Sequence, residues 1–405
     1  MRLQIFALAA CLALIPAVHA QSDELGARPF NSPDPAVQEQ AIAQSWQPRF
    51  TVLPAKNFNA ETAVRQAGAA ATVPLWSRTI GSAGTNYKYT MVGRNPFVAL
   101  NTFQSLNIKA VVIPIKITFT ASGNIVLDPT ATDSTCSPKG TAAALTKASP
   151  IFNTISGGIW NTDVGTGEYV DLFQRANYYT QTNSTTGINP DYHTNLTFSQ
   201  AAVRSYSSST GEVVAGTCGN LGLMDINTWD SYLQNTLFPA LAAASPQIAP
   251  PNTLPIFLLY NTVLYQGSTS NCCILGYHSA FNDPAYGGAF HAYASVEFDT
   301  NQSFTGVADV SAMSHEVAEW MDDPSGINPT PSWGNIGQVS GCQANLEVGD
   351  PLSGTLDQIY MASNKYTYHV QDLTFTSWFY GQKPSTGVNG WYSFLGTFTT
   401  PAAAC

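Results

Sequence analysis

The chain has 405 residues, and 44% of them are hydrophobic, so it can bury a large core. Only 10% of the residues are charged, and 26 acidic residues against 16 basic ones give a formal net charge of -10. An acidic surface with few basic side chains argues against nucleic acid and anionic membranes as partners.

The N-terminus has the pattern of a cleavable export signal. Arg2 precedes an apolar run from Ile5 to Ile15 that is too short to span a membrane as a helix. Small residues lead up to Ala20, which predicts a signal peptide at residues 1–20 with cleavage after Ala20. We find no later membrane span in the sequence. The mature protein is therefore expected to be secreted or periplasmic.

The cysteines agree with export. Six of them follow the predicted signal, and an even number in an exported chain predicts up to three disulfides. No C-x-x-C pair is present, which disfavours a cysteine metal cluster. Two of the six are adjacent and are expected to bridge to two different partners. The six cysteines are Cys136, Cys218, Cys272, Cys273, Cys342 and Cys405.

Residues 21–100 form a separate N-terminal region, for which the sequence allows two interpretations. One is a propeptide, and the other is a small β-rich subdomain. The segment Val73–Val92 mixes Trp, Tyr, Thr and Gly, as strands and turns do. Trp76, Tyr87 and Tyr89 have the character of packing residues, which favours the subdomain. Residues 101–405 are then expected to form the main domain.

Strands and helices alternate in the main domain, and an irregular β-rich part follows Pro324. This order predicts an α+β class. Asn227 is the predicted cap of the helix Thr228–Ala244, and Pro324 prevents the helix Val307–Met321 from continuing. Predicted strands are Ala110–Thr120, Ile125–Leu127, Ile256–Tyr265 and Ala292–Phe298. Predicted helices are Ala142–Ile155, Tyr169–Tyr178, Thr228–Ala244 and Val307–Met321.

The last of these helices carries the pattern His-Glu-x-x-Glu. His315 and Glu319 are four residues apart, which places both side chains on one helix face, where both can reach a single Zn²⁺. Glu316 follows the histidine directly, at the position of a general base that takes a proton from metal-bound water. The sequence therefore predicts a zinc-binding helix.

A catalytic zinc usually has three protein ligands and one open position. The downstream segment Asn345–Asp350 supplies two carboxylates. Glu347 is the expected third ligand, and Asp350 is expected to hold the other nitrogen of His315. The roles of Glu347 and Asp350 could also be exchanged.

Together, these motifs and the dipeptide Asp323-Pro324 resemble secreted zincin-like proteins of the gluzincin metallopeptidase type. The resemblance implies a zincin-like twisted mixed sheet with an active-site helix within residues 101–405. It also implies an edge strand, Ala292–Phe298, that lies beside this helix and holds an extended peptide. Glu319 stands where such proteins have a second histidine, and a carboxylate at this position can also bind zinc.

Zincin sites commonly place a Tyr or His opposite the metal, aimed at the developing oxyanion. His369 is the candidate for this catalytic role, with Tyr368 as its alternative. Two further histidines, His278 and His291, either line the cleft or serve as structural residues.

Three functions follow from these features. The first is a secreted zinc metallopeptidase that hydrolyses peptide bonds of a protein or peptide substrate through metal-activated water. The second is a non-catalytic exported protein of the cell surface or matrix that retains a zincin-like fold, similar to secreted proteins of the phosphate-induced type. The third, a glycosidase with paired carboxylates, leaves His315 without a purpose.

Overall fold

The computed structural model describes residues 30–69, 71–99, 105–155 and 164–405. The predicted signal peptide and its cleavage site after Ala20 lie outside these residues. In the described part of the chain, none of the helices combines the length and the apolar character that crossing a bilayer requires.

Strands make up much of the described chain. In chain order they are β1 (Arg49–Leu53), β2 (Leu75–Ser82), β3 (Thr85–Val92), β4 (Ser105–Phe119), β5 (Ile125–Leu127), β6 (His193–Gln200), β7 (Arg204–Ser208), β8 (Glu212–Ala215), β9 (Asn220–Asp225), β10 (Thr253–Tyr260), β11 (Thr262–Tyr265), β12 (Cys272–Asp283), β13 (Ala289–Phe298), β14 (Pro329–Ile336), β15 (Val339–Asn345), β16 (Leu356–Met361) and β17 (Tyr366–Gln371).

The α-helices are short, and most of them lie between strands. They are α1 (Pro35–Ala43), α2 (Ala60–Gly68), α3 (Ala142–Ala148), α4 (Tyr169–Asn177), α5 (Tyr179–Thr182), α6 (Ile226–Tyr232), α7 (Phe238–Ala242), α8 (Ser311–Asp322) and α9 (Thr376–Phe379).

A mixed sheet with eleven strands in the described residues forms the centre of the fold. Its main path runs β5-β4-β10-β13-β12-β11-β9-β8, while β6 and β7 pair with β4, and β1 pairs with β12. β10 is parallel to both β4 and β13, whereas β12 is antiparallel to β13. The molecule is thus a mixed α/β protein. The predicted combination of helices with a large mixed sheet is confirmed.

The first strong strand prediction is confirmed. The buried run Ala110–Thr120 falls almost entirely within β4, and β5 returns beside it at Ile125–Leu127. The chain reverses at Gly123, whose φ of 72° is a conformation that glycine adopts without steric cost. β-branched residues fill β4 because both of its faces are covered.

The predicted strand Ile256–Tyr265 is two strands in the structure. Asn261, with a φ of 44°, separates β10 from β11. β10 lies between β4 and β13, whereas β11 lies between β12 and β9. Asparagine tolerates this left-handed conformation better than most residues, so the chain can turn within an apolar run that otherwise reads as continuous.

The expectation that Ala292–Phe298 forms an edge strand is wrong. These residues belong to β13, which pairs with β10 on one side and with β12 on the other. The neighbouring strand β12 pairs with β13 on one side, and on its other side it pairs with β11 and, in parallel, with β1. An extended segment of the chain itself therefore pairs with β12 beside the helix.

Two predicted helices have different bounds in the structure. α3 ends at Ala148 because Pro150 disfavours helical geometry in the residue before it. The helix expected at Thr228–Ala244 is capped by the Asp225 side chain, which accepts a hydrogen bond from the backbone N–H of Thr228 at 2.9 Å. It passes through a π-helical segment, Leu233–Leu237, before α7.

Helix α8 is buried on all sides. All of its residues are buried, and it packs against β12 and β13 of the sheet and against β17. Met313, Val317, Trp320 and Met321 lie in the main hydrophobic core, which confirms the predicted apolar face. The opposite face carries His315, Glu316 and Glu319, which are also fully buried.

The hairpin of β2 and β3 joins the same core. Trp76 is buried and makes an edge-to-face contact with Tyr178, with ring centroids 6.0 Å apart. Tyr89 is buried and stacks on Tyr380 at 5.7 Å. Tyr87 is half-buried beside the same tyrosine. These three residues pack as their composition indicates.

The structure has three disulfides, as the cysteine count allows, and their presence fits an oxidising compartment. The expectation that Cys272 and Cys273 bridge to different partners is wrong, because they form a disulfide with each other. The other four cysteines pair among themselves. Their disulfides are Cys136–Cys218 and Cys342–Cys405.

We predict that replacing Cys136 and Cys218 together by alanine lowers the free energy of unfolding by about 2–5 kcal/mol, because the unfolded chain loses a long closed loop. The sequence separation is 82 residues, against 63 for Cys342–Cys405. The loop-entropy difference between the two is only about 0.2 kcal/mol, so both double variants should lose similar stability. Denaturant unfolding of the three proteins measures this, and an unchanged midpoint would contradict it.

Candidate metal centre

His315 presents one nitrogen to the buried region beside α8. Its Nδ1 lies 3.0 Å from Oε1 of Gln371. The Gln371 amide is oriented by its Nε2, which donates to the carbonyl oxygen of Gly349 at 2.7 Å. Because Oε1 can only accept, Nδ1 carries the proton, and Nε2 of a neutral His315 is a free lone pair. That Nε2 lies 3.1 Å from Oε1 of Glu319.

Gln371 therefore takes the position expected for Asp350, which lies on the other side of the ring. Asp350 Oδ1 is 3.6 Å from Nε2 of His315, the nitrogen that also faces Glu319. Gln338 and Gln343 donate to the Asp350 carboxylate. In metal sites, a hydrogen bond to the other ring nitrogen usually orients a ligand histidine. Here the side-chain amide of Gln371, at the end of β17, makes that hydrogen bond.

His278 joins the same cluster from β12. Its Nε2 donates to the carbonyl oxygen of Asp323 at 3.0 Å, so Nδ1 of the neutral ring is a lone pair. This Nδ1 faces Oε2 of Glu316 at 3.0 Å and Oε2 of Glu319 at 3.7 Å. A lone pair that faces carboxylate oxygens needs a proton or a metal cation between them. The sequence does not decide whether His278 and His291 line the cleft, and the structure places His278 in this cluster.

Glu347 lies where the chain returns to α8 after β15. It is buried, and its Oε1 accepts a hydrogen bond from Asn345 Nδ2 at 3.0 Å. The backbone N–H of Gly349 donates to Oε1 of Glu319 at 3.0 Å, which ties this loop to the helix. The downstream acidic segment therefore reaches the helix motif, as its spacing from the motif indicates.

Two sets of side chains bring ligand atoms within 4.8 Å of one another. The first set is His315, Glu316 and Glu319, and the second is His278, Glu319 and Glu347. Glu319 belongs to both. A cluster of imidazole and carboxylate donors at this spacing suits zinc or another transition metal.

Three polar atoms of the first set have no hydrogen-bond partner although they are fully buried. They are Nε2 of His315, Oε1 of Glu316 and Oε2 of Glu319. A buried polar group without a partner costs about 1–3 kcal/mol, and more when it is charged. The three residues offer ligand atoms within 4.8 Å of one another. A cation among them would give these buried groups a partner, so the residues fit a bound metal.

The charges of the cluster lead to the same conclusion. Burial raises the pKa of Glu316, Glu319 and Glu347 well above the usual range, and neighbouring carboxylates raise it further. Burial also lowers the pKa of His278 to about 3 and that of His315 to about 4. Within the described residues, no Lys or Arg forms a salt bridge with this cluster. A bound cation would supply the positive charge that the side chains do not.

Two glycines keep space open around the centre. A Cβ atom at Gly276 of β12 would lie 2.8 Å from Cγ of Glu316, and one at Gly349 would overlap the ring of His315. Backbone therefore approaches both side chains more closely than any larger residue allows. The aromatic ring of Phe50 covers His315 from the side of β1, with ring centroids 3.7 Å apart.

The other candidate residues lie outside both sets. His369 bonds through Nδ1 to Oδ2 of Asp309 at 2.7 Å, and its side chain is 27% exposed. The hydroxyl of Tyr368 donates to the carbonyl oxygen of Leu145 at 2.7 Å, in the core. His291 bonds to Asp283 at 2.8 Å. The structure thus does not bring His369 to the ligand groups, and its catalytic role stays a prediction.

The two aspartates at the end of α8 have structural partners. Asp322 accepts hydrogen bonds from Gln174 and Asn177 of α4. The Asp323 carboxylate accepts from the backbone N–H of Asn328 at 2.7 Å and closes the turn after the helix. Its carbonyl oxygen orients His278, so this residue acts on the centre through its backbone.

Comparison of the chain with known protein families, curated proteins and solved structures finds no match.

We predict that Glu319→Gln abolishes stoichiometric metal binding, because this carboxylate belongs to both ligand sets. Glu297→Gln is the matched control. Glu297 is equally buried on β13, and its two oxygens have no hydrogen-bond partner, but it belongs to neither set. Elemental analysis of both variants, purified without chelators, measures the difference. Equal metal content in the two would contradict the assignment of Glu319 as a ligand.

We predict that the His369–Asp309 pair makes stability depend on pH. The hydrogen bond to Asp309 raises the pKa of His369 above 6.5. The pair therefore stabilises the fold fully below about pH 6.5 and loses this contribution as the pH rises through the raised pKa. Because the group is partly exposed, the effect is about 1 kcal/mol or less. His369→Gln should flatten this part of the pH profile of the unfolding midpoint, and identical profiles would contradict the assignment.

Proposed function

We propose that the protein is an exported zinc-dependent hydrolase of the metallopeptidase type. The observation that carries this proposal is the set His315, Glu316 and Glu319, whose ligand atoms lie within 4.8 Å of one another and which has three buried polar atoms without hydrogen-bond partners. The His-Glu-x-x-Glu spacing on α8 supports it, since the two ligands and the base then occupy one helix face. Three disulfides support export.

His315 and Glu319 would hold the metal, with Glu347 or His278 as the third ligand. When bound, zinc would polarise the substrate carbonyl and lower the pKa of a coordinated water. Glu316 is the proton acceptor in this proposal. Its Oε1 has no hydrogen-bond partner, and its Oε2 lies 3.0 Å from Nδ1 of His278. Gln371 keeps His315 in the tautomer that a ligand requires.

The second candidate is a non-catalytic exported protein of the cell surface or matrix that keeps the same centre. The complete burial of the helix motif favours it, because His315, Glu316 and Glu319 are 0% exposed. A peptide cannot reach these residues in the arrangement described. The metal would then be structural and would hold α8, β12 and the loop around Glu347 together.

We predict that Glu316→Gln keeps the zinc and lowers hydrolysis of a general protein substrate by at least about 100-fold, because a positioned base contributes about 10²–10⁴ to the rate. Glu297→Gln serves again as the buried control and should leave the rate unchanged. Zinc content and rate are measured on the same preparations. Equal rates for wild type and Glu316→Gln would refute the assigned base, and zinc without any hydrolysis would favour the structural role.

A further inference from the structure

A cleft of 630 Å³ opens on the face of β12 that lies opposite the metal centre. Successive side chains of a strand point to opposite faces of its sheet, so His278 and Ser279 lie on different faces. His278 belongs to the second ligand set, whereas Ser279 is part of the cleft lining. The sheet therefore separates this cleft from the metal centre.

Side-chain amides are the most frequent groups in the lining of the cleft. Each amide carries a carbonyl oxygen that accepts hydrogen bonds and an NH₂ group that donates them. Small-molecule sites are usually lined mainly by apolar and aromatic side chains, so this lining suits a ligand rich in polar groups. Most of the amide residues are exposed, and the cleft is therefore open to solvent. They are Asn57, Asn227, Gln234, Asn235 and Asn282.

Asp230 supplies the one carboxylate among the described residues of the lining. Its Oδ1 accepts hydrogen bonds from the hydroxyl groups of Tyr277, at 3.0 Å, and Tyr293, both of which are fully buried. Its Oδ2 accepts from Nε2 of Gln234 at 2.9 Å. An ionised carboxylate has about four acceptor positions, so these three donors fix its orientation and leave about one position for a ligand.

The helical segment over the cleft departs from α-helical geometry where its side chains reach the lining. The π-helical turn Leu233–Leu237 carries Gln234 and Asn235. π-helical turns are rare and occur frequently at functional sites. Here the turn buries Leu233 and Leu237 and still presents two consecutive amides to the cleft.

The charges of the lining favour a neutral ligand. Lys56 is exposed, and it is the one basic residue in the described lining, as Asp230 is the one acidic residue. Burial raises the pKa of Asp230, and the charge of Lys56 offsets part of this effect. The two charges balance each other. A phosphate ligand would instead call for an arginine or a cluster of cations.

We propose that this cleft binds a neutral oligosaccharide through its hydroxyl groups. Each sugar hydroxyl both donates and accepts, so it pairs with the amides and with the free acceptor position of Asp230. The half-buried Phe281 adds an apolar surface for a sugar ring. Glycoside hydrolysis generally uses two carboxylates, whereas this lining has one, so the site binds the sugar without cleaving it. The proposal goes beyond the hydrolase function and does not require the metal.

Titration calorimetry with three neutral trisaccharides, maltotriose, cellotriose and triacetylchitotriose, tests the site. Wild type should bind at least one of them with a dissociation constant of about 1 mM or tighter. Asp230→Asn should weaken this binding by at least about 10-fold, because the acceptor that faces the ligand loses its charge. Binding of none of the three sugars would overturn the proposal.

Two exposed amides keep the test independent of any folding defect in Asp230→Asn. Asn235→Ala and Asn282→Ala should each weaken binding by about 3–10-fold, the effect of one lost hydrogen bond. Asn86→Ala is the control, because Asn86 is an exposed asparagine of β3 outside the lining, and it should bind as wild type does. Equal affinity in Asn235→Ala, Asn282→Ala and Asn86→Ala would show that the sugar does not use this cleft.

Two further comparisons separate the cleft from the metal centre and a sugar from a peptide. Glu316→Gln should bind the trisaccharide as tightly as wild type, because Glu316 lies on the other side of the sheet, and a loss of binding would contradict the location. Tetra-alanine is titrated at the same concentrations and should not bind. Binding of tetra-alanine that is weakened by Asn235→Ala and Asn282→Ala would assign the cleft to peptides and overturn the proposal.

Discussion

Acidic side chains and neutral imidazoles share a dry region beside α8, and the described residues place no lysine or arginine in a salt bridge with them. Like charges at such distances cannot all ionise in a medium of low dielectric constant. A metal cation would resolve this conflict, because it supplies positive charge and a partner for the buried, unpartnered atoms of His315 and Glu319 at once. The close approach of Gly276 and Gly349 and the amide of Gln371 all serve this arrangement.

What the sequence predicts well is local. The spacing of His315 and Glu319 indicates a shared helix face, and the apolar positions of α8 indicate its buried side, because both depend only on 3.6 residues per turn. The run in β4 and its hairpin with β5 are also local features, since a continuous run of β-branched residues and the turn after it lie in one short segment.

What the sequence does not predict depends on pairing between distant segments. His278 is 38 positions from Glu316, and Gln371 is 56 positions from His315. A histidine in a strand and a glutamine at a strand end carry no local sign of their partners. The position of β13 inside the sheet is likewise a property of strand order, and so is the placement of β1 at the edge of β12. The disulfide between the adjacent Cys272 and Cys273 is also not predicted, because it depends on the pairing of the other four cysteines with one another in the folded chain.

The break at Asn261 has a consequence for how the chain folds during synthesis. One residue joins β10 to β11, yet the hairpin of β12 and β13 lies between them in the sheet. The middle of the sheet is thus made by residues that emerge after both flanking strands, so it cannot be assembled in the order of translation. Until residue 298 is available, β10 and β11 carry unpaired edges, and such edges are prone to aggregation. A nascent chain of this protein therefore gains from being kept extended until the hairpin has arrived.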